Sequence, residues 1–197
     1  MKKYILLITI ISFSFFNCKA QQIVNINTHN TVPSDGKYFK DINNNFANFT
    51  GTWSSTNGNL TFKIMLVKAE QMPYPSPDNP KYYMDEIHGH FIMIQDIGTA
   101  NETIVYESHK NFTGLTNKWE AQNIILAFTN DGVTLAGSIT DNCVPDTYYR
   151  PLVGHLKIVI NAGTNPTTAS FSVERKGMSL QGQSTFTIPT DLTLTKE

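Results

Sequence analysis

From Phe49 to the C-terminus, apolar residues recur at every second position in short runs, and turn residues separate the runs. Leu60, Phe62, Ile64 and Leu66 alternate with Thr61, Lys63 and Met65, so each set occupies one face of a strand. Asn57-Gly58 precedes that run, and Asp131-Gly132 separates residues 123–128 from 133–140; both dipeptides supply the positive-φ residue that tight hairpins need. Gly163-Thr164-Asn165-Pro166 joins residues 154–161 to 168–175 in the same way. No long amphipathic helical repeat interrupts the series. The pattern predicts an all-β chain, an antiparallel meander of about 8–10 strands that closes into a barrel, with a β-sandwich as the alternative. Four prolines between Pro73 and Pro80 remove ladder donors, and that stretch is predicted as a surface loop. Phe39 and Ile42, spaced i, i+3, predict one or two helical turns ahead of Phe49.

The first strand of the meander is predicted around Phe49-Thr50-Gly51-Thr52-Trp53. Alternation assigns Phe49, Gly51 and Trp53 to one face as structural core, and Thr50 and Thr52 to the other. Glycines at Gly51, Gly89, Gly137 and Gly154 fall near strand starts or mid-strand, where bulges or tight bends are expected.

The N-terminus predicts export. Lys2 and Lys3 precede an apolar run over residues 4–16, broken only by Thr9, Ser12 and Ser14. Such a run is shorter than the roughly 20 residues a spanning helix needs, and it suits the core of a secretory signal. Two cleavage sites compete. A cut before Cys18 leaves that cysteine to carry lipid, and a cut after Ala20 follows the small-x-small rule at Cys18-Lys19-Ala20. Residues 1–20 are therefore read as the signal, 21–36 as a polar, flexible tether, and 37–197 as a single β domain. Either cut leaves Cys143 as the one thiol, so no internal disulfide supports the fold and an apolar core must.

Charge points to no polyanionic partner. The 197-residue chain has 15 basic and 16 acidic residues, and losing Lys2, Lys3 and Lys19 leaves 12 against 16. No basic cluster is interleaved with aromatics, so nucleic acid is not an expected partner. Membrane association is expected only through a lipid on Cys18.

Candidate sites are few. His88 and His90 stand one residue apart, project to the same side of a strand, and have the spacing of a pair of zinc ligands. His109, His155, Asp85 and Glu86 are candidates for a third ligand, and no spacing selects among them. Asp141, Asp146, Arg150 and His155 lie in and after one loop and would do acid–base work if they converged. Tyr82 and Tyr83, with Tyr148, Tyr149 and Arg150, form a candidate contact patch for a ligand or protein partner, because aromatic and Arg side chains dominate contact energies. No nucleophile motif is present, no catalytic residue is assigned, and no cofactor is expected.

Two resemblances add to this. Gly51-x-Trp53 on a first core strand, preceded by a helical turn, resembles the entry motif of lipocalins, in which the Trp closes one end of an eight-stranded barrel; this implies a lipocalin-like, calycin-type barrel. Tyr38-Phe39-Lys40-Asp41, Phe49-x-Gly51-Thr52-Trp53, Asp85-x-Ile87-x-Gly89 and Ile188-Pro189-Thr190-Asp191 together resemble a family of small exported proteins from flavobacteria and relatives, catalogued as a domain of unknown function. That resemblance implies an exported, often lipid-anchored β protein and carries no assigned activity. The expected function is that of an exported, non-enzymatic β-barrel protein holding a small or apolar ligand at one mouth. The alternatives are an interaction lipoprotein without a pocket and a metal-dependent or acid–base hydrolase using His88 and His90.

Overall fold

The computed structural model describes residues 21–108, 124–141, 152–176 and 186–197. The first half of the chain contributes β1 (Gln22–Asn25), β2 (Lys37–Lys40), β3 (Gly51–Asn57), β4 (Leu60–Tyr74), β5 (Tyr82–Gln95) and β6 (Thr103–Glu107). The second half contributes β7 (Ile125–Phe128), β8 (Thr134–Asp141), β9 (Leu152–Asn161), β10 (Thr168–Arg175) and β11 (Asp191–Lys196).

Eight of these strands form a closed antiparallel ring. Neighbours run β5-β4-β3-β11-β10-β9-β8-β7, and β7 returns to β5 through the pairs Ile87–Ala127, His88–Leu126 and Gly89–Ile125. The last strand meets the first of the ring at Thr195–Ser54 and Lys196–Trp53. One continuous ring excludes the sandwich alternative, which needs two stacked sheets. Closure also leaves no free edge in the ring itself.

Side chains at alternate positions pack the described part of the interior. Phe62, Phe91 and Phe171 come from three strands, with ring centroids 5.8 and 5.6 Å apart. Ile64, Leu135 and Ile158 are fully buried around them. Gly89 lets the wall tighten: a Cβ there would lie 2.5 Å from the Met65 carbonyl oxygen and 2.7 Å from Leu66 Cδ2.

Three departures from the sequence reading have physical causes. Residues 21–36, expected as a tether, carry β1 and a 3₁₀ turn over Ile26–Thr28 that buries Ile26. β1 pairs in parallel with β2, and the Gly36 N–H donates to the Lys81 carbonyl at 2.8 Å. The helical turn expected at Phe39 is instead strand β2, pulled extended by parallel pairing with β5 at Tyr38–Tyr83 and Phe39–Met84; Ile42 is exposed. A single 3₁₀ turn follows at Asn45–Asn48. Finally, β4 runs through Pro73, which pairs with Tyr83 beyond a bulge between Ala69 and Met72. Past Leu66 the β3 partner has ended, so Pro73 occupies an edge stretch where its missing donor costs little.

Candidate functional site

The two faces of β5 carry different chemistry. Ile87, Gly89 and Phe91 point into the barrel with the core, so Glu86, His88 and His90 point out of it.

At the start of β5, Asp85 is a buried hub. Its Oδ1 accepts from the Tyr38 hydroxyl at 2.5 Å and from the Gln71 N–H at 3.1 Å, and its Oδ2 accepts from the Asp41 N–H at 3.0 Å. Lys68 Nζ lies 3.3 Å from Asp85, 3.2 Å from Glu70 and 3.9 Å from Asp41. Asp41 in turn accepts from the Asn45 and Phe46 N–H groups at 2.8 and 3.0 Å, capping the 3₁₀ turn. Burial pushes the Tyr38 phenol well above its usual range, and the Asp85 carboxylate beside it adds to the shift. Burial disfavours the Lys68 ammonium, yet the Glu70 and Asp85 carboxylates outweigh it and its pKa is raised. Every donor in this cluster already has a protein acceptor. Its chemistry is that of a clamp tying β2, β4, β5 and the 3₁₀ turn together.

The same end of the barrel is closed by Trp53. Its Nε1 donates to the Phe49 carbonyl at 2.7 Å, and Lys196 Nζ lies 5.4 Å from the ring centroid. Lys196 Nζ also donates to the Ala47 and Asn48 carbonyls, at 3.2 and 2.9 Å. Trp53 and Phe49 are fully buried. Gly51 is exposed, not core, because the chain enters β3 with φ +114° there and the expected alternation starts only after it.

On the outer face of β5, His88 Nε2 and Glu86 Oε2 are 2.7 Å apart, and Glu86, His88 and His90 are all buried. His155 cannot join them at a common ion. Leu126 and Ser138 stand between His88 and His155 in one row across the wall, so the two imidazoles are three strands apart, roughly 14 Å. Asp85 lies on the opposite face of β5, and His109 falls outside the described residues. Among the described residues, no group of three His, Cys, Asp or Glu side chains is placed to hold a metal ion.

A family of unknown function (DUF6705) matches the chain over residues 1–197. The chain belongs to that family. No curated protein and no solved structure matches it.

The remaining candidates disperse. Tyr82 stacks on Tyr74 with centroids 5.1 Å apart and meets Phe39 edge-on at 5.9 Å, so its ring is committed to a local aromatic cluster that also includes His29. Tyr83 lines a separate groove with Gln71 and Lys81. Tyr148, Tyr149 and Arg150, with Asp146 and Cys143, lie outside the described residues, as does Cys18. Asp141 is buried and accepts from the Thr187 N–H at 2.6 Å and the Thr187 hydroxyl at 2.9 Å; it faces away from His155 and anchors the approach to β11. Of the candidate partners for His88 and His90, Glu86 does lie against His88, whereas Asp85 belongs to a clamp that sequence reasoning did not foresee. The local signal for the clamp was Asp85-Glu86, two adjacent acids in a strand whose other polar side chains include His88 and His90.

Proposed function

We propose that this chain is an exported, non-enzymatic β-barrel protein that works through its outer surface, held at a membrane by lipid on Cys18. The observation that carries the reading is the packing of the described interior, where Phe62, Ile64, Phe91, Leu135, Ile158 and Phe171 are all buried. Eight-stranded barrels are just wide enough either to be filled by side chains or to hold one small ligand. Among the described residues, Phe91 and Phe171 both pack on Phe62 inside the ring, and Trp53 is buried with Phe49 at the start of β3. That arrangement favours the interaction protein over the ligand carrier.

Export and anchoring rest on Lys2, Lys3, the apolar run over residues 4–16, and Cys18. Glu86 and His88 form an acid–base pair, but both are buried from solvent, which leaves a substrate no approach along the described wall. Native and intact mass spectrometry of protein purified from its own host tests the reading. The expected result is a lipid-bearing chain beginning at Cys18 with no stoichiometric small molecule. A mature N-terminus at Gln21 would remove the anchor, and a co-purifying interior ligand would restore the carrier.

A further inference from the structure

The outer wall opposite β4 bears a groove of about 470 Å³ across β7 to β10. Its origin is the register. One row reads Phe128, Ala136, Lys157, Ser172 across four strands, and the next reads Leu126, Ser138, His155, Glu174. Ala136 and Ser172 are too short to fill the space beside Lys157, and the backbone at Gly137 and Leu156 forms the floor. Phe128 stands as one wall with 37% of its surface exposed. Lys157 stands two strands away, its backbone roughly 10 Å from that of Phe128 with only Ala136 between them, which leaves room for one pyranose ring above the sheet.

The polar groups at this groove are unspent. His155, Lys157 and Glu174 are exposed and make no hydrogen bond or ion pair with any described residue. Lys157 and Glu174 carry opposite charges, so the groove offers a cationic donor, an anionic acceptor, an imidazole and the Ser172 hydroxyl with no net charge from the pair. An apolar ligand would gain nothing from these groups, and a ligand of one charge would set its attraction to one of Lys157 and Glu174 against repulsion from the other. A neutral polyhydroxylated ring satisfies all of them: its C–H face lies on the Phe128 ring while its hydroxyls both donate and accept.

We propose that this groove is a saccharide-binding site, taking a neutral sugar unit against Phe128 with Lys157, His155 and Glu174 bonding its hydroxyls. The inference rests on the reading that recognition occurs on the outer surface. The two fail separately: an interior ligand in native mass spectrometry overturns that reading, whereas a flat sugar titration overturns the groove alone.

The test is calorimetric and NMR titration of the mature protein with a panel of neutral oligosaccharides, and with acidic and sulfated ones as a second arm. At least one neutral member is expected to bind saturably. Phe128→Ala and Lys157→Ala should weaken it roughly tenfold or more, with melting temperatures unchanged. Ile104→Ala, exposed on β6 where it pairs with Ile94 at the other end of β5, should bind like wild type. Absence of saturable binding at millimolar sugar, equal binding by Phe128→Ala, or preference for the charged arm would each overturn the proposal.

Discussion

Trp53 links the wall of the barrel to its end, since its ring packs in the core while its N–H holds the Phe49 carbonyl. Truncating such a ring removes apolar burial and leaves a cavity, a change that costs about 3–5 kcal/mol. Trp53→Ala should therefore lose that much in urea unfolding, whereas Thr52→Ala, on the other face of β3, should stay within about 0.5 kcal/mol. Two glycines should be intolerant for different reasons. Gly51 has φ +114°, and a Cβ there would meet only Lys196 Cε at 3.6 Å, an ordinary contact, so Gly51→Ala should cost about 1–3 kcal/mol through backbone strain alone. Gly89 has ordinary dihedrals, but its Cβ would strike the Met65 carbonyl, and relief requires β4 and β5 to move apart. Shortening Leu66, the other close neighbour, should leave Gly89→Ala unrescued, because the nearest atom is backbone. At this scale the sequence was only partly legible. Alternation located the inward residues of β3 once the strand had begun, but it could not reveal that the strand begins at Gly51 with a left-handed residue. The Asp85 clamp was invisible because Tyr38 and Asp41 lie 47 and 44 residues away, and only the parallel pairing of β2 with β5 brings them in.

The β7–β8 turn shows how one element end is built from several weak contributions. Asp131 Oδ1 accepts from the Thr134 N–H at 2.7 Å, the Val133 N–H at 2.8 Å and the Thr129 hydroxyl at 3.0 Å. Asn48 Nδ2 donates to the Gly132 carbonyl at 2.8 Å, docking the turn on the 3₁₀ turn. The Thr134 and Val133 N–H groups, with the Thr129 hydroxyl, hold the Asp131 carboxyl below its usual range although burial works against them. Because the folded value lies under the unfolded one, this contribution is complete above the ordinary carboxylate range and drains away as pH falls through the folded value. Asp131→Asn should flatten that part of the acid limb of the melting temperature against pH; an unchanged acid limb would count against the turn geometry. Turn chemistry made this hairpin readable from Asp131-Gly132, and the two-residue period made β4 and β5 readable for the same local reason. β1 and β2 were harder, since their pairing is parallel and non-local and a four-residue strand has almost no period of its own. Deleting residues 21–31 gives a direct measurement. A passive tether would leave the melting temperature unchanged, but removing β1 and Ile26 uncovers apolar surface along β2 and should lower it by several degrees.

For the whole molecule, the decisive quantity is how completely side chains fill the ring, because the same eight-stranded architecture serves as a packed scaffold or as a ligand cage. The filling depends on Phe91, which touches both Phe62 on the neighbouring strand and Tyr106 on β6, with centroids 5.8 Å away in each case. Phe91→Ala should cost about 3–5 kcal/mol if the space stays open after truncation, and less if Phe62 and Phe171 collapse into it. An open, apolar cavity of this kind stays dry and admits xenon or benzene. The expected pattern is therefore a contrast within one pair of proteins. Wild type under xenon should show no saturable NMR shift changes among its core methyl groups, and Phe91→Ala should show them at Ile64, Leu135 and Ile158 and regain stability as xenon binds. Saturable xenon uptake by the wild-type interior would mean that the barrel keeps a cavity after all, and the carrier reading would displace the scaffold.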